Sequence, residues 1–140
     1  MFSIKFVKMR NTLGKQERLK SKKLIEKLYA EGDSVKNFPL RMMYVQTVHT
    51  SEFPCQVGVS VAKRNYKLAV DRNRLKRLMR ETYRLQKQIV YNNLDKPYVF
   101  MISYIGREEI KYEDLYLKME KLLTLFIDKV KVKVKSDESI

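Results

Sequence analysis

Apolar residues recur along this chain with two different periods, and the changes of period divide it into elements. Over residues 21–31, Leu24, Ile25, Leu28 and Tyr29 share one face of a helix, and Gly32 follows as its stop. Asp33–Asn37 reads as a turn or a very short strand. After Pro39, residues 40–50 are rich in Met, Tyr, Val and Thr and predict a strand, closed by the turn residues Thr50-Ser51-Glu52-Phe53-Pro54. Residues 56–62 alternate Val57, Val59 and Val61 with Gly58, Ser60 and Ala62, the two-residue period of a strand. Its second face therefore carries only small side chains, which suits either a closely packed helix or a floor over which a nucleotide chain passes.

A loop over residues 63–68 leads into a long helix ending near Asn92. Wound at about 100° per residue, this helix separates into two arcs. Leu75, Leu78, Met79, Thr82, Leu85 and Ile89 fall on one side; Arg72, Asn73, Lys76, Arg77, Arg80, Arg84 and Lys87 gather on the other. Tyr98–Tyr104 predicts a further strand. Residues 113–130 predict a helix that buries Leu115, Met119, Leu122, Leu123, Phe126, Ile127 and Val130. Residues 1–15 read as a loose basic arm and residues 131–140 as a frayed tail. With no internal repeat or linker, residues 1–140 form a single domain whose core spans about 12–130.

Charge sharpens the meaning of the basic arc. The chain carries a formal net charge of +14. Residues 63–88 hold ten basic side chains against Asp71 and Glu81, a balance of +8. Ordinary surface helices intersperse opposite charges at i,i+4, so a row this depleted of acids points to an external polyanion. An anionic membrane is the weaker candidate, because the apolar arc lacks Trp and Phe and suits a protein core. Nucleic acid is the better partner. Cys55 is the only cysteine, which excludes a disulfide framework, and no apolar run approaches the length of a membrane span. A soluble, cytoplasmic protein is expected.

Catalytic chemistry is scarce. His49 is the only histidine and reads as a surface residue of a strand or its end. The glycines Gly14, Gly32, Gly58 and Gly106 are too dispersed for a phosphate-binding loop. The acids come as neighbours, Glu108-Glu109, Glu113-Asp114 and Asp137-Glu138, whose side chains diverge rather than converge on a metal. The sequence therefore describes a binder without a catalytic centre or metal site of its own. Nine tyrosines with six phenylalanines supply stacking faces, and Tyr29, Tyr44 and Tyr98 are candidates for bases or, equally, for the core.

Gly58-Val59-Ser60-Val61-Ala62-Lys63-Arg64, followed by Ala69-Val70-Asp71-Arg72-Asn73-Arg74-Leu75-Lys76-Arg77-Leu78-Met79-Arg80-Glu81, strongly resembles the protein component of bacterial ribonuclease P. Arg18-Leu19-Lys20-Ser21 and Gly32-Asp33-Ser34-Val35 resemble that family's first helix and the turn after it. The resemblance covers about residues 12–130. It implies an α+β fold: a two-layer α/β sandwich with a mixed, roughly four-stranded sheet and a left-handed βαβ crossover, similar to the second domain of ribosomal protein S5.

It also implies a function. The ribonuclease P RNA subunit cuts the 5′ leader from precursor tRNA using Mg2+ that it mainly holds itself, and the protein binds both RNAs. Lys63, Arg64, Arg72, Asn73, Arg74, Lys76, Arg77, Arg80 and Arg84 carry over as the surface for the RNA subunit. Arg74 lies outside the main basic arc, where it can instead cap or brace the crossover. Ile25, Tyr29, Tyr44 and Ser60 carry over to the cleft for the leader, with Met43 the alternative to Tyr44 because that strand aligns ambiguously by one residue. A structural RNA-binding protein, such as a ribosomal protein, is the rival reading. A DNA-binding regulator is a third, disfavoured by a basic row of about four turns where recognition helices use three or four side chains.

Overall fold

The computed structural model describes residues 13–49 and 51–138. In chain order they form a single 3-10 turn (Lys15–Glu17), α1 (Lys22–Glu31), β1 (Asp33–Asn37), β2 (Leu40–Gln46), β3 (Cys55–Val61), α2 (Ala69–Arg84), α3 (Gln88–Tyr91), β4 (Tyr98–Tyr104) and α4 (Tyr112–Glu138). Of the expected arm over residues 1–15, residues 1–12 lie outside the described residues, and Lys15 belongs to the 3-10 turn.

One mixed sheet has the order β1-β2-β4-β3. The pairs β1–β2 and β2–β4 are antiparallel, whereas β3 and β4 are parallel. Parallel neighbours need a crossover, and α2 with α3 supplies it. The side-chain period of two then sorts the strands onto two faces. Leu40, Met42 and Tyr44, Cys55, Val57 and Val61, and Tyr98, Phe100, Ile102 and Tyr104 form one core with α2 and α4. Helix α4 contributes Leu115, Met119, Leu122, Leu123, Phe126, Ile127 and Val130, every one buried as its 3.6-residue pattern predicts. The opposite sheet face is only partly covered. There Leu28 of α1 and Leu19 meet Val99, with Leu24, Ile25, Met43, Val45 and Met101 around them.

Local chemistry sets the ends of α1. The Ser21 hydroxyl accepts from the Leu24 N–H at 3.3 Å, and the Gly32 N–H donates to the Leu28 carbonyl at 2.8 Å. Gly32 has φ of −72°, so its small size, rather than a left-handed backbone, is what the site requires. A Cβ there would lie 2.4 Å from the Leu28 carbonyl oxygen.

Of the two alternatives for Asp33–Asn37, the structure takes the short strand. Three sequence expectations change. Strand β2 stops at Gln46, short of residue 50. Helix α4 continues to Glu138, through most of the expected tail. The long helix is broken: α2 ends at Arg84 and α3 is a separate turn of helix. Buried Gln86 causes the break. Its side-chain amide donates to the Thr82 carbonyl and, across the core, to the Tyr116 carbonyl, while its own N–H reaches Tyr83 in a tightened turn. Leu85 is consequently 40% exposed rather than buried, and Tyr83 takes its place in the core.

Candidate nucleic-acid interface

Helix α2 buries Leu75, Met79, Thr82 and Tyr83 and turns its other side outward. Asn73, Arg74, Arg77 and Arg80 are exposed, as are Lys63 and Arg64 in the preceding loop; Arg72, Lys76 and Arg84 are half-buried. Arg72 ties the two parts together. Its guanidinium donates to the carbonyls of Tyr66 and Lys67, both at 2.8 Å, which folds the basic loop back onto the first turn of the helix. Arg74 is ion-paired with Asp71 at 3.8 Å and with Glu109 in the β4–α4 connection. It therefore braces the connection that follows the crossover. Arg84 pairs with Glu81 three residues back, which raises its pKa.

Lys87 does not join the row. It is 3% exposed, and its ammonium lies 2.6 Å from Glu17 Oε1. The sequence offered no sign of this, since Glu17 lies outside the helix. Among the described residues, no ion pair engages Lys63, Arg64, Lys67, Lys76, Arg77 or Arg80. Burial, then the charges of Arg18 and Arg77, pull the Arg80 pKa below the usual guanidinium value. The Arg18 and Arg77 charges both act on Arg80, and among the described residues no carboxylate is ion-paired with it, which favours an anion at that point.

The partly open face of the sheet adjoins this row. Cross-strand register aligns Arg41, Ser103 and Ser60 in one line, and Met43, Met101 and Gly58 in the next. Ser60 and Ser103 share a 2.7 Å hydrogen bond between their hydroxyls. A Cβ on Gly58 would stand 2.8 Å from Met101 Cε and 3.7 Å from Leu19 Cβ. The small side chains of β3 thus make room for a neighbouring methionine and for the segment before α1, leaving a low surface. Arg18 extends the sheet by one bridge to Val57, with the Leu19 N–H donating to the Val57 carbonyl at 2.8 Å. A cleft of about 360 Å³ opens at this edge, lined by Arg18, Lys20, Gly58, Arg80 and Met101 among others.

Helix α1 forms one wall beside this face. Tyr29 is 55% exposed on it, and Ile25 is half-buried against the small cluster below. Tyr44 is on the wrong side of the sheet for a cleft residue. It is buried in the main core, edge-on to Phe126 with ring centroids 4.8 Å apart, and burial pushes its phenol up to about 12. Tyr98 is likewise buried against Phe126. Met43 is the β2 residue on the open face, so the one-residue ambiguity resolves away from Tyr44. Arg41 carried the missed signal: a charge at that parity marks the face shared by Arg41, Met43 and Val45 as the less buried one. Arg18, Lys20, Arg41 and Ser103 also join the surface without having been singled out as contacts.

His49 is half-buried in the β2–β3 connection rather than freely exposed. Its Nδ1 accepts from the Ser51 N–H at 3.3 Å, and burial lowers its pKa. Among the described residues, no group of three or more His, Cys, Asp or Glu side chains is placed to hold a metal ion. No helix among them is long and apolar enough to cross a membrane.

Comparison with known proteins agrees with this geometry. Residues 13–126 match the family model described as Ribonuclease P. The ribonuclease P protein component of Chlorobium phaeobacteroides is 44% identical over 89 residues, covering 61% of each chain. That of Porphyromonas gingivalis is 37% identical over 89 residues, covering 63% of this chain and 64% of the relative. The chain thus spans a little over three-fifths of the length of these curated relatives. Among solved structures, the RNase P protein of Staphylococcus aureus has a TM-score of 0.62 at 20% identity, covering 78% of this chain and 94% of that one. The RNase P protein of Thermotoga maritima has a TM-score of 0.62 at 21% identity, covering 76% and 94%. At these identities the structures establish the fold.

Proposed function

Because this chain belongs to the ribonuclease P protein family, we propose that it is the protein subunit of a bacterial ribonuclease P. In this reading it works in the cytoplasm, binds the catalytic RNA subunit and the 5′ leader of precursor tRNA, and assists removal of the leader. One observation carries the assignment. A row of cations with no ion pair among the described residues, Lys76, Arg77 and Arg80 with Lys63, Arg64 and Lys67, lies beside a low sheet face walled by α1.

The two surfaces divide the work. The row and the loop before it meet phosphates of the RNA subunit, with Arg72, Asn73, Arg74 and Arg84 organising or flanking the contact. The strip formed by Met43, Met101, Gly58, Ser60 and Ser103 takes the extended leader. Tyr29 offers a stacking face there, and Ile25 supports the wall. Fixed cations substitute for part of the diffuse counterion screening needed to bring two RNAs together. Catalysis belongs to the RNA subunit. In this reading the magnesium ions are held mainly by the RNA subunit, and among the described residues no group of three or more His, Cys, Asp or Glu side chains gathers on this chain.

The deciding experiment is reconstitution with a bacterial ribonuclease P RNA, following precursor tRNA cleavage at low magnesium. The protein alone should cut nothing, and together with the RNA it should raise cleavage where the RNA alone is weak. Activity of RNA-free protein that survives repeated purification would overturn the assignment in favour of a nuclease. RNA binding with neither stimulation nor leader dependence would favour a structural RNA-binding protein.

A further inference from the structure

The ion pair between Glu17 and Lys87 is buried at both ends, with each side chain 3% exposed, and it joins residues 70 positions apart. Glu17 Oε1 accepts from the Lys87 ammonium and from the Tyr91 hydroxyl, both at 2.6 Å. Oε2 accepts from the Gly14 N–H at 2.8 Å, closing the 3-10 turn. Both carboxylate oxygens are therefore occupied, and the network continues from Tyr91 to Tyr83, whose hydroxyl lies 3.6 Å from Cys55 Sγ. A buried ion pair is a poor source of net stability, because desolvation offsets most of its Coulombic gain. An apolar pair of similar volume would hold the core as well. What the polar pair adds is a fixed geometry.

That geometry falls where it matters. Glu17 immediately precedes Arg18, which bridges to the edge of β3, and Lys20 follows two residues later; both line the cleft together with Arg80. One residue further, Ser21 caps α1, which carries Ile25 and Tyr29. Lys87 sits at the break beyond α2. The contact thus joins the segment that starts the leader wall to the end of the helix that carries the basic row. We infer that Glu17 is a positioning residue: pinned by Lys87 and Tyr91, it sets the distance of Arg18, Lys20 and α1 from α2, and so the width of the cleft offered to the leader. This rests on the function proposed above.

The test uses the full-length protein assembled with the RNA subunit. Wild type must first bind precursor tRNA more tightly than mature tRNA; absence of that preference refutes the proposed function, not this inference. With the preference present, Glu17→Gln should reduce it by about tenfold, the scale of one lost base or phosphate contact, while RNA-subunit affinity stays near wild type. Hydrogen exchange on the free protein gives a local readout. The Leu19 amide, bonded to Val57, should exchange faster in Glu17→Gln while the Phe100 amide of the central strand does not.

A paired variant, Glu17→Met with Lys87→Met, separates positioning from stability. It should unfold at a temperature near wild type yet keep the reduced leader preference and the fast Leu19 exchange. Recovery of both along with stability would overturn the inference, as would equal acceleration at Leu19 and Phe100, or an unchanged preference in Glu17→Gln. If Glu17→Gln does not fold, Tyr91→Phe takes its place. It removes one bond to the carboxylate and keeps the ring, and the same two readouts should shift in the same direction by less; no shift in either overturns the inference.

Discussion

Tyr29 and Tyr44 are two tyrosines of similar appearance in the sequence, and the structure assigns them opposite consequences. Tyr44 is 5% exposed and lies edge-on to Phe126 at 4.8 Å, with Tyr98 at 6.3 Å. Truncation to alanine removes a whole buried ring and leaves a cavity, a loss of about 3 to 5 kcal/mol by analogy with other buried aromatics. Domains of this size are stable by roughly 5 to 15 kcal/mol, so this is a large fraction of the total. The unfolding temperature should fall by on the order of 10 °C or more. Tyr29 is 55% exposed, so its truncation should change stability by no more than about 0.5 kcal/mol. Its effect should appear instead in binding: a lost stack of about 1 to 3 kcal/mol, read as the ratio of holoenzyme affinities for precursor and mature tRNA. The assays are thermal unfolding followed by circular dichroism and equilibrium binding of both tRNAs to each variant. A Tyr44→Ala protein that melts like wild type but loses leader preference would refute the face assignment of β2. A Tyr29→Ala protein that unfolds early would refute that of α1.

Met79→Ala, fully buried, should cost about 2 to 5 kcal/mol in denaturant unfolding, while its neighbour Arg80→Ala should leave the fold intact and weaken RNA binding. Arg77→Ala should make the salt dependence of RNA-subunit binding shallower by about 0.7 to 0.9 units, and Arg74→Ala by clearly less, because Arg74 already faces Asp71 and Glu109; equal slopes would show those pairs open on binding. Cys55 is fully buried, and burial pushes its thiol up to about 12, so the native thiol is both inaccessible and held protonated. A thiol-reactive disulfide reagent should therefore modify native protein no faster than the rate at which it unfolds.

The sheet and the outer helices were legible because each follows one period over enough residues. The Val57, Val59, Val61 alternation and the seven buried positions of α4 are unambiguous in the chain. Parity of a single short strand was not. Leu40–Gln46 has large side chains at both parities, and only the charge on Arg41 separates its faces. The break after Arg84 was hidden for another reason. Gln86 is a good helix former by propensity, and what stops the helix is a contact with Tyr116, which follows it by 30 positions. The same holds for Lys87: on an unbroken helical wheel it belongs to the basic row, and the break at Gln86 together with its tertiary pairing with Glu17 removes it.

That removal changes what the charge of this region means. Counted along the sequence, residues 63–88 hold ten cations that look equivalent. In the fold they divide into roles. Arg74 and Arg84 are matched by carboxylates at the surface, and Lys87 by one in the interior. Arg72 spends its donors on the carbonyls of Tyr66 and Lys67 while keeping its charge. The remaining six, Lys63, Arg64, Lys67, Lys76, Arg77 and Arg80, face outward with no ion pair among the described residues. A helix carrying so many like charges is under self-repulsion in isolation, and burial of Leu75, Met79 and Tyr83 is what holds it in place. Packing energy from the core thus offsets the cost of keeping the row unneutralised. The internal ion pairs sit at its margins, where they fix the β4–α4 connection and the segment before α1 without consuming the charges at its centre.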